Sequence, residues 1–156
     1  MKNKIKKLLP ILFVAISFNS CNKDDETCTT DISNELKSIE TLYGCENTVV
    51  TLQLDEFAEY KIIENSVQYD AIVSGDCHPA IDFDKYYLII GNVPSDKKIV
   101  SFDYKLYDSC EPNFFKLNVR IKKDETLIGN SYNTFHVLIR KGMEIQSFEV
   151  FYTVLK

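Results

Sequence analysis

The chain has 156 residues, and 18 Lys and Arg against 23 Asp and Glu set its formal charge at −5. That length holds one domain with a tail. The acidic balance excludes the basic footprint of a nucleic-acid binder, and two His leave little room for a His-rich metal centre or a His-dependent catalytic array. Five Cys is an odd number, and in an exported chain an odd Cys needs its own explanation.

Residues 1–20 carry Lys2, Lys4, Lys6 and Lys7, no acid, and then an 11-residue apolar run from Leu8 to Phe18 interrupted by a Pro and a Ser. A spanning helix needs about 20 apolar residues, so the pattern predicts a cleaved signal peptide. Ser20-Cys21 closes the run and resembles the lipobox of bacterial lipoproteins. The resemblance implies lipid on Cys21 and a mature chain that begins there. Lys23-Asp24-Asp25-Glu26 follows and is similar to the export signal of Bacteroidota surface lipoproteins. It implies an outer-membrane lipoprotein exposed at the cell surface. Cleavage removes four Lys and no acid, so 14 basic residues face 23 acidic ones and the mature charge is −9. Residues 21–33 read as an acidic flexible tether, and 34–156 as a single β-rich domain.

Residues 35–43 are open between helix and strand. Val49–Leu54 and Tyr60–Ile63 read as strands. Asn65 with Gln68 three residues on predicts a capped helix over 66–74, stopped by Gly75. Tyr86–Ile90 is continuously apolar and reads as a central strand. Gly91–Asp96 is a turn. Val100, Phe102, Tyr104 and Leu106 alternate with polar residues, as do Phe115, Leu117, Val119 and Ile121, which is the pattern of half-buried antiparallel strands. Lys123–Asn133 reads as a polar loop, Phe135–Ile139 as a strand and Lys141–Glu144 as a tight turn. Phe148–Val154 is apolar on both faces and reads as a second central strand. The expected fold is all-β with one short helix: an antiparallel β-sandwich or partly open barrel of seven or eight strands.

Beyond Cys21, four Cys remain, in a compartment that permits disulfides. If the strands flanking the 91–96 turn form a hairpin, antiparallel numbering brings Cys77 opposite Cys110. That leaves Cys28 with Cys45. Spacings this wide do not suit zinc.

Asp76, Asp82 and Asp84 are a candidate calcium set through oxygen ligands, and paired carboxylates also suit glycoside hydrolysis. Solvated acids beside a strand are the plainer reading. An oxidised Cys77 would not serve as nucleophile for His78, and His136 falls on the expected less-buried face of its strand. No G-x-S-x-G, phosphate loop or H-E-x-x-H occurs, so neither an enzyme nor a cofactor is expected. Tyr86, Tyr87, Tyr104, Tyr107 and Tyr132 are candidate binding aromatics, for sugar stacking or protein contact, against sheet packing as the plainer role.

Ile81–Ile90 resembles the opening strand of the C-terminal domain found in the B-type components of protease complexes, and Asn133–Lys141 is similar to a late strand of that domain. The chain also looks like small Bacteroidota lipoproteins that carry a segment such as Tyr69–Pro79. Both resemblances imply a β-rich accessory domain. The expected role is a surface-anchored module, held to the membrane by its N-terminal lipid, that binds a protein partner associated with a protease or envelope complex. A glycan-binding accessory lipoprotein is the first alternative and a small hydrolase the second.

Overall fold

A computed structural model describes residues 29–109, 111–129 and 132–155. Their order is β1 (Thr29–Asp31), a 3-10 turn (Ser33–Glu35), β2 (Leu36–Lys37), α1 (Ile39–Tyr43), α2 (Thr48–Thr51), β3 (Gln53–Leu54), β4 (Lys61–Ile63), α3 (Ser66–Ile72), β5 (Val73–Ser74), β6 (Tyr86–Pro94), β7 (Lys97–Ser109), β8 (Phe114–Ile128), β9 (Tyr132–Arg140) and β10 (Ser147–Leu155). One sheet runs β1-β7-β8-β10, a second runs β2-β9-β6-β4, and β3 and β5 form a small pair. Neither large sheet closes into a barrel, so the fold is an all-β sandwich.

The expected hairpin across residues 91–96 does not exist. β6 pairs with β9, and β7 with β8. The chain therefore turns a corner at Ser95-Asp96 from one sheet into the other, and β8 makes the return corner into β9. Backbone contact across the corners is direct, because Gly129 N–H donates to Asp96 C=O at 3.0 Å. The alternating strand signals were right, but alternation reports which face is buried and not which strand is the neighbour.

β10 departs from expectation twice. It pairs with β8 in parallel, and it lies at the end of its sheet rather than inside it. Its apolar inner face still packs on the core through Phe148 and Val150.

The two sheets enclose one core. Leu106, Leu117, Val119 and Ile121 from the first sheet meet Ile89, Phe135, Val137 and Ile139 from the second. The first sheet leaves its outer face to water, where Arg120 pairs with Asp103 at 2.8 Å and Lys116 with Glu149 at 3.2 Å. The second sheet has no wet face. Leu88, Ile90 and Leu138 turn outward onto a second core built with Ile39, Leu52, Ile63, Tyr69 and Val73. A cover of short helices and the β3-β5 pair thus makes a third layer. This explains the unbroken apolar run of β6, since a strand buried on both faces has no polar positions to alternate.

The cover is shaped by local chemistry. Residues 35–43 contain both alternatives left open above: β2 and then α1, which Ser38 caps by accepting Thr41 N–H at 3.2 Å. Residues 49–51 belong to α2 and not to a strand; β3 begins only at Gln53. Asn65 Oδ1 accepts Gln68 N–H at 2.9 Å, and Gln68 Oε1 accepts Glu64 N–H at 3.0 Å. That cap starts α3 where the sequence placed it. The helix ends at Ile72, before Gly75, because Val73 and Ser74 pair with β3. Residues 29–33, expected in the tether, instead form β1 against β7 and begin the 3-10 turn. The polar stretch 123–128 continues β8, and only 129–131 separate it from β9.

Candidate functional site

The cover layer holds the chemistry-bearing side chains. Cys45 follows the Gly44 cap of α1, whose left-handed φ of 72° turns the chain back. Cys77 follows β5. The two are joined as a disulfide with Cα atoms 5.9 Å apart. Cys77 N–H donates to Thr51 C=O at 3.1 Å, which fixes the same approach through the backbone. The pairings Cys77–Cys110 and Cys28–Cys45 are thereby corrected. They depended on a β6-β7 hairpin, and the corner removes it. Cys21, Cys28 and Cys110 lie outside the described residues.

Beside the disulfide runs an open groove of about 450 Å³. Tyr43 and Gly44 form one wall, Thr51 the floor region, and Asp76, His78 and Pro79 the other wall, with Glu46 at its edge. Glu46, Asp76 and His78 are exposed. His78 stacks on the Tyr69 ring with centroids 4.3 Å apart, and its Nε2 lies 3.7 Å from Asp70 Oδ1. Leu42 and Val50, on the adjoining helices, are exposed apolar residues. The groove is therefore acidic, flanked by apolar surface, and tied across by a covalent bond.

A second polar cluster sits under the cover. His136 on β9 is 3% exposed, contrary to its expected place on a less-buried face. It lies on the side of the second sheet that α1 and α2 cover, which the sequence of β9 alone cannot report. Its Nε2 is 3.4 Å from Glu40 Oε1, near enough for an ion pair but off-line for a hydrogen bond. Ser38 and Thr48 hydroxyls donate to the Glu40 carboxylate. Burial pushes that carboxyl up, but the His136 ring, the Ser38 hydroxyl and backbone N–H outweigh it and hold the pKa at about 2. Both His136 ring nitrogens lie beneath the surface, out of reach of a substrate in this arrangement. The cluster pins α1 and α2 onto β9.

The remaining candidates disperse. Asp76 lines the disulfide groove, whereas Asp82 and Asp84 line a different hollow with Lys141. Lys85 Nζ lies 2.7 Å from Asp82, and that contact holds the Asp82 carboxyl below its ordinary range. The calcium set is thus not assembled, and among the described residues no group of three His, Cys, Asp or Glu is placed to hold a metal.

The five tyrosines do not form a platform either. Tyr86 packs on the second core, Tyr87 lies under Lys141 Nζ at 4.8 Å, and Tyr107 is half-buried. Tyr104 turns its hydroxyl inward to accept His136 N–H at 3.1 Å. Tyr132 opens β9.

Sequence reasoning missed two tyrosines with structural work at the sheet margins. Tyr60 donates to Phe148 C=O at 2.8 Å, and Tyr152 to Glu59 C=O at 3.2 Å. A Tyr set just outside a strand run was the available signal.

No protein family, no curated protein and no solved structure matches this chain.

Proposed function

We propose that this chain is a lipid-anchored module of the outer-membrane surface that binds a protein partner at the groove beside Cys45–Cys77. One observation carries the reading: the groove's two walls come from segments far apart in sequence and are locked together at the rim. A docking site gains from walls that need no ordering when the partner arrives. Glu46 and Asp76 suit a basic side chain of the partner, and Leu42 and Val50 supply apolar contact beside it. The signal-like segment 1–20, Ser20-Cys21 and the acidic run 23–26 support the anchoring. No helix among the described residues is long and apolar enough to cross a membrane, so attachment rests on lipid at Cys21 in this reading. Several acyl chains on one residue hold a protein stably where one chain does not. The protease-associated role is the narrower form of the same proposal.

The test uses cells that display the wild-type chain or a Glu46→Lys, Asp76→Lys double variant. After crosslinking, the wild type recovers a specific protein, and the variant recovers at least about tenfold less, the loss that about 1.4 kcal/mol of binding energy represents. Equal recovery by both chains removes the groove from the proposal. Recovery of no specific protein by the wild type removes the partner. Palmitate label that enters the wild type but not Cys21→Ala supports the anchor, and label in both refutes it.

A further inference from the structure

Each end of a β-sheet leaves a row of backbone N–H and C=O groups without a ladder partner, and proteins guard such rows with short strands, lysines, prolines or bulges. Three edges here are short: β1, β2 and β4 have three, two and three residues. β7 is long, but β1 covers only its 107–109 end. Its uncovered part carries Lys97, Lys98 and Lys105, with irregular register between Lys97 and Lys98 and between Ile99 and Ser101. Those are guards.

β10 has none of them. It runs nine residues, SFEVFYTVL, with no Lys, no Pro and a continuous register against β8 on its one paired side. Its single charge, Glu149, is already balanced by Lys116 on the neighbouring strand. Tyr60 reaches the Phe148 carbonyl and so caps one end of the free row. Alternate residues of a strand turn their backbone groups to the same side, so the row that begins at Phe148 continues through Val150, Tyr152 and Val154.

We propose that this edge is where two copies of the chain associate, their β10 strands pairing antiparallel about a two-fold axis at Phe151. The occupant follows from self-complementarity, which a two-fold interface demands. In this register Val150 of one copy faces Tyr152 of the other, and both exchange backbone hydrogen bonds. Glu149 faces Thr153, so no like charges meet. Phe151 faces Phe151 on the outer sheet surface, an aromatic pair of the kind that stabilises neighbouring strands. The two four-stranded sheets then become one continuous sheet. The capped end at Phe148 limits the pairing to its central residues. The contact is therefore smaller than the roughly 1,200 Å² of a standard interface, and anchoring both copies to one membrane would raise their effective concentration. The disulfide groove takes no part, so this inference stands apart from the proposed function.

Sedimentation velocity on the purified chain, from about 1 µM to about 1 mM, spans the relevant dissociation range. The wild type is expected to double its mass within it. Phe151→Lys and Phe151→Glu, each folded by circular dichroism, are expected to stay monomeric, because like charges then meet on the axis. An equimolar mixture of the two recovers the dimer. Amide exchange on the wild type gives a reading that needs no variant: Val150 and Tyr152 slow as concentration rises, while the exposed amide of Val67 does not. A wild type that stays monomeric throughout overturns the proposal and leaves the edge to some other chain. Dimers that persist in both single variants, or exchange at Val150 and Tyr152 that ignores concentration, also overturn it.

Discussion

The hydroxyl of Tyr104, on one sheet, accepts the backbone N–H of His136, on the other, at 3.1 Å. β2 pairs with β9 only at Leu138 and Ile139, so the His136 N–H lies beyond the end of that short strand. A buried donor without a partner is costly, and Tyr104 supplies the missing acceptor from across the sandwich. Burial and the neighbouring Glu40 and Asp103 charges push the phenol far above its ordinary range, against the lowering effect of that N–H. It therefore stays neutral. Tyr104→Phe keeps the ring and removes the acceptor. It is expected to cost about 1–3 kcal/mol in urea unfolding, whereas Tyr107→Phe, at a half-buried residue, stays within about 0.5 kcal/mol. Equal effects would show that the hydroxyl is not the cap.

Disulfide mapping of the oxidised chain is expected to join Cys45 to Cys77. Thr29 is paired with Ser109 in an antiparallel register. Cys28 and Cys110 come next in sequence on either side, so one further step of that register sets them opposite each other. The second bridge is expected there. A peptide joining Cys77 to Cys110 would contradict both. Replacing Cys45 and Cys77 together by Ala is expected to cost about 2–4 kcal/mol, read as a lower denaturant midpoint.

Acid should loosen the cover layer through Glu40. Its folded pKa of about 2 lies below the ordinary 4.5, so the folded state favours the carboxylate. The stability this contributes is fully present above about pH 4.5 and is lost as pH falls through about 2. With the side chain 40% exposed, water screens part of the effect. Glu40→Gln is expected to flatten the pH dependence of the unfolding midpoint between about pH 5 and about pH 2 relative to wild type. An unchanged slope would place the acid sensitivity elsewhere.

Gly91 marks where the 58–60 segment crosses β6. A Cβ there would come within 2.1 Å of Glu59 C=O and 2.6 Å of the Phe135 ring. Neither can yield easily, since Phe135 is fully buried and Asn92 N–H holds Ala58 C=O at 3.0 Å. Gly91→Ala is expected to destabilise by about 1–3 kcal/mol through overpacking. Gly142→Ala meets no atoms but has a φ of 135°, so its cost is backbone strain alone. Comparing the two by thermal unfolding, with Phe135→Leu added to relieve the first and not the second, separates the mechanisms.

Elements with local signals were legible from the amino acids in order. Alternation from Val100 to Leu106 and from Phe115 to Ile121 marked two strands, the Asn65–Gln68 cap marked α3, and the apolar run 86–90 marked a strand buried on both faces. A period of two, a cap or a hydrophobic run needs only neighbouring residues to be visible. Three other features came from the folded arrangement: β6 and β7 part at a corner, β10 is an edge pairing in parallel, and Cys77 belongs to Cys45. The burial of His136 is a fourth, because the cover of α1 and α2 comes from residues nearly a hundred positions earlier. Each of these depends on which surfaces meet, and burial energy rewards apolar area whichever strand supplies it. The strand pattern therefore told which faces seek a core, and the corners chose the partners they found.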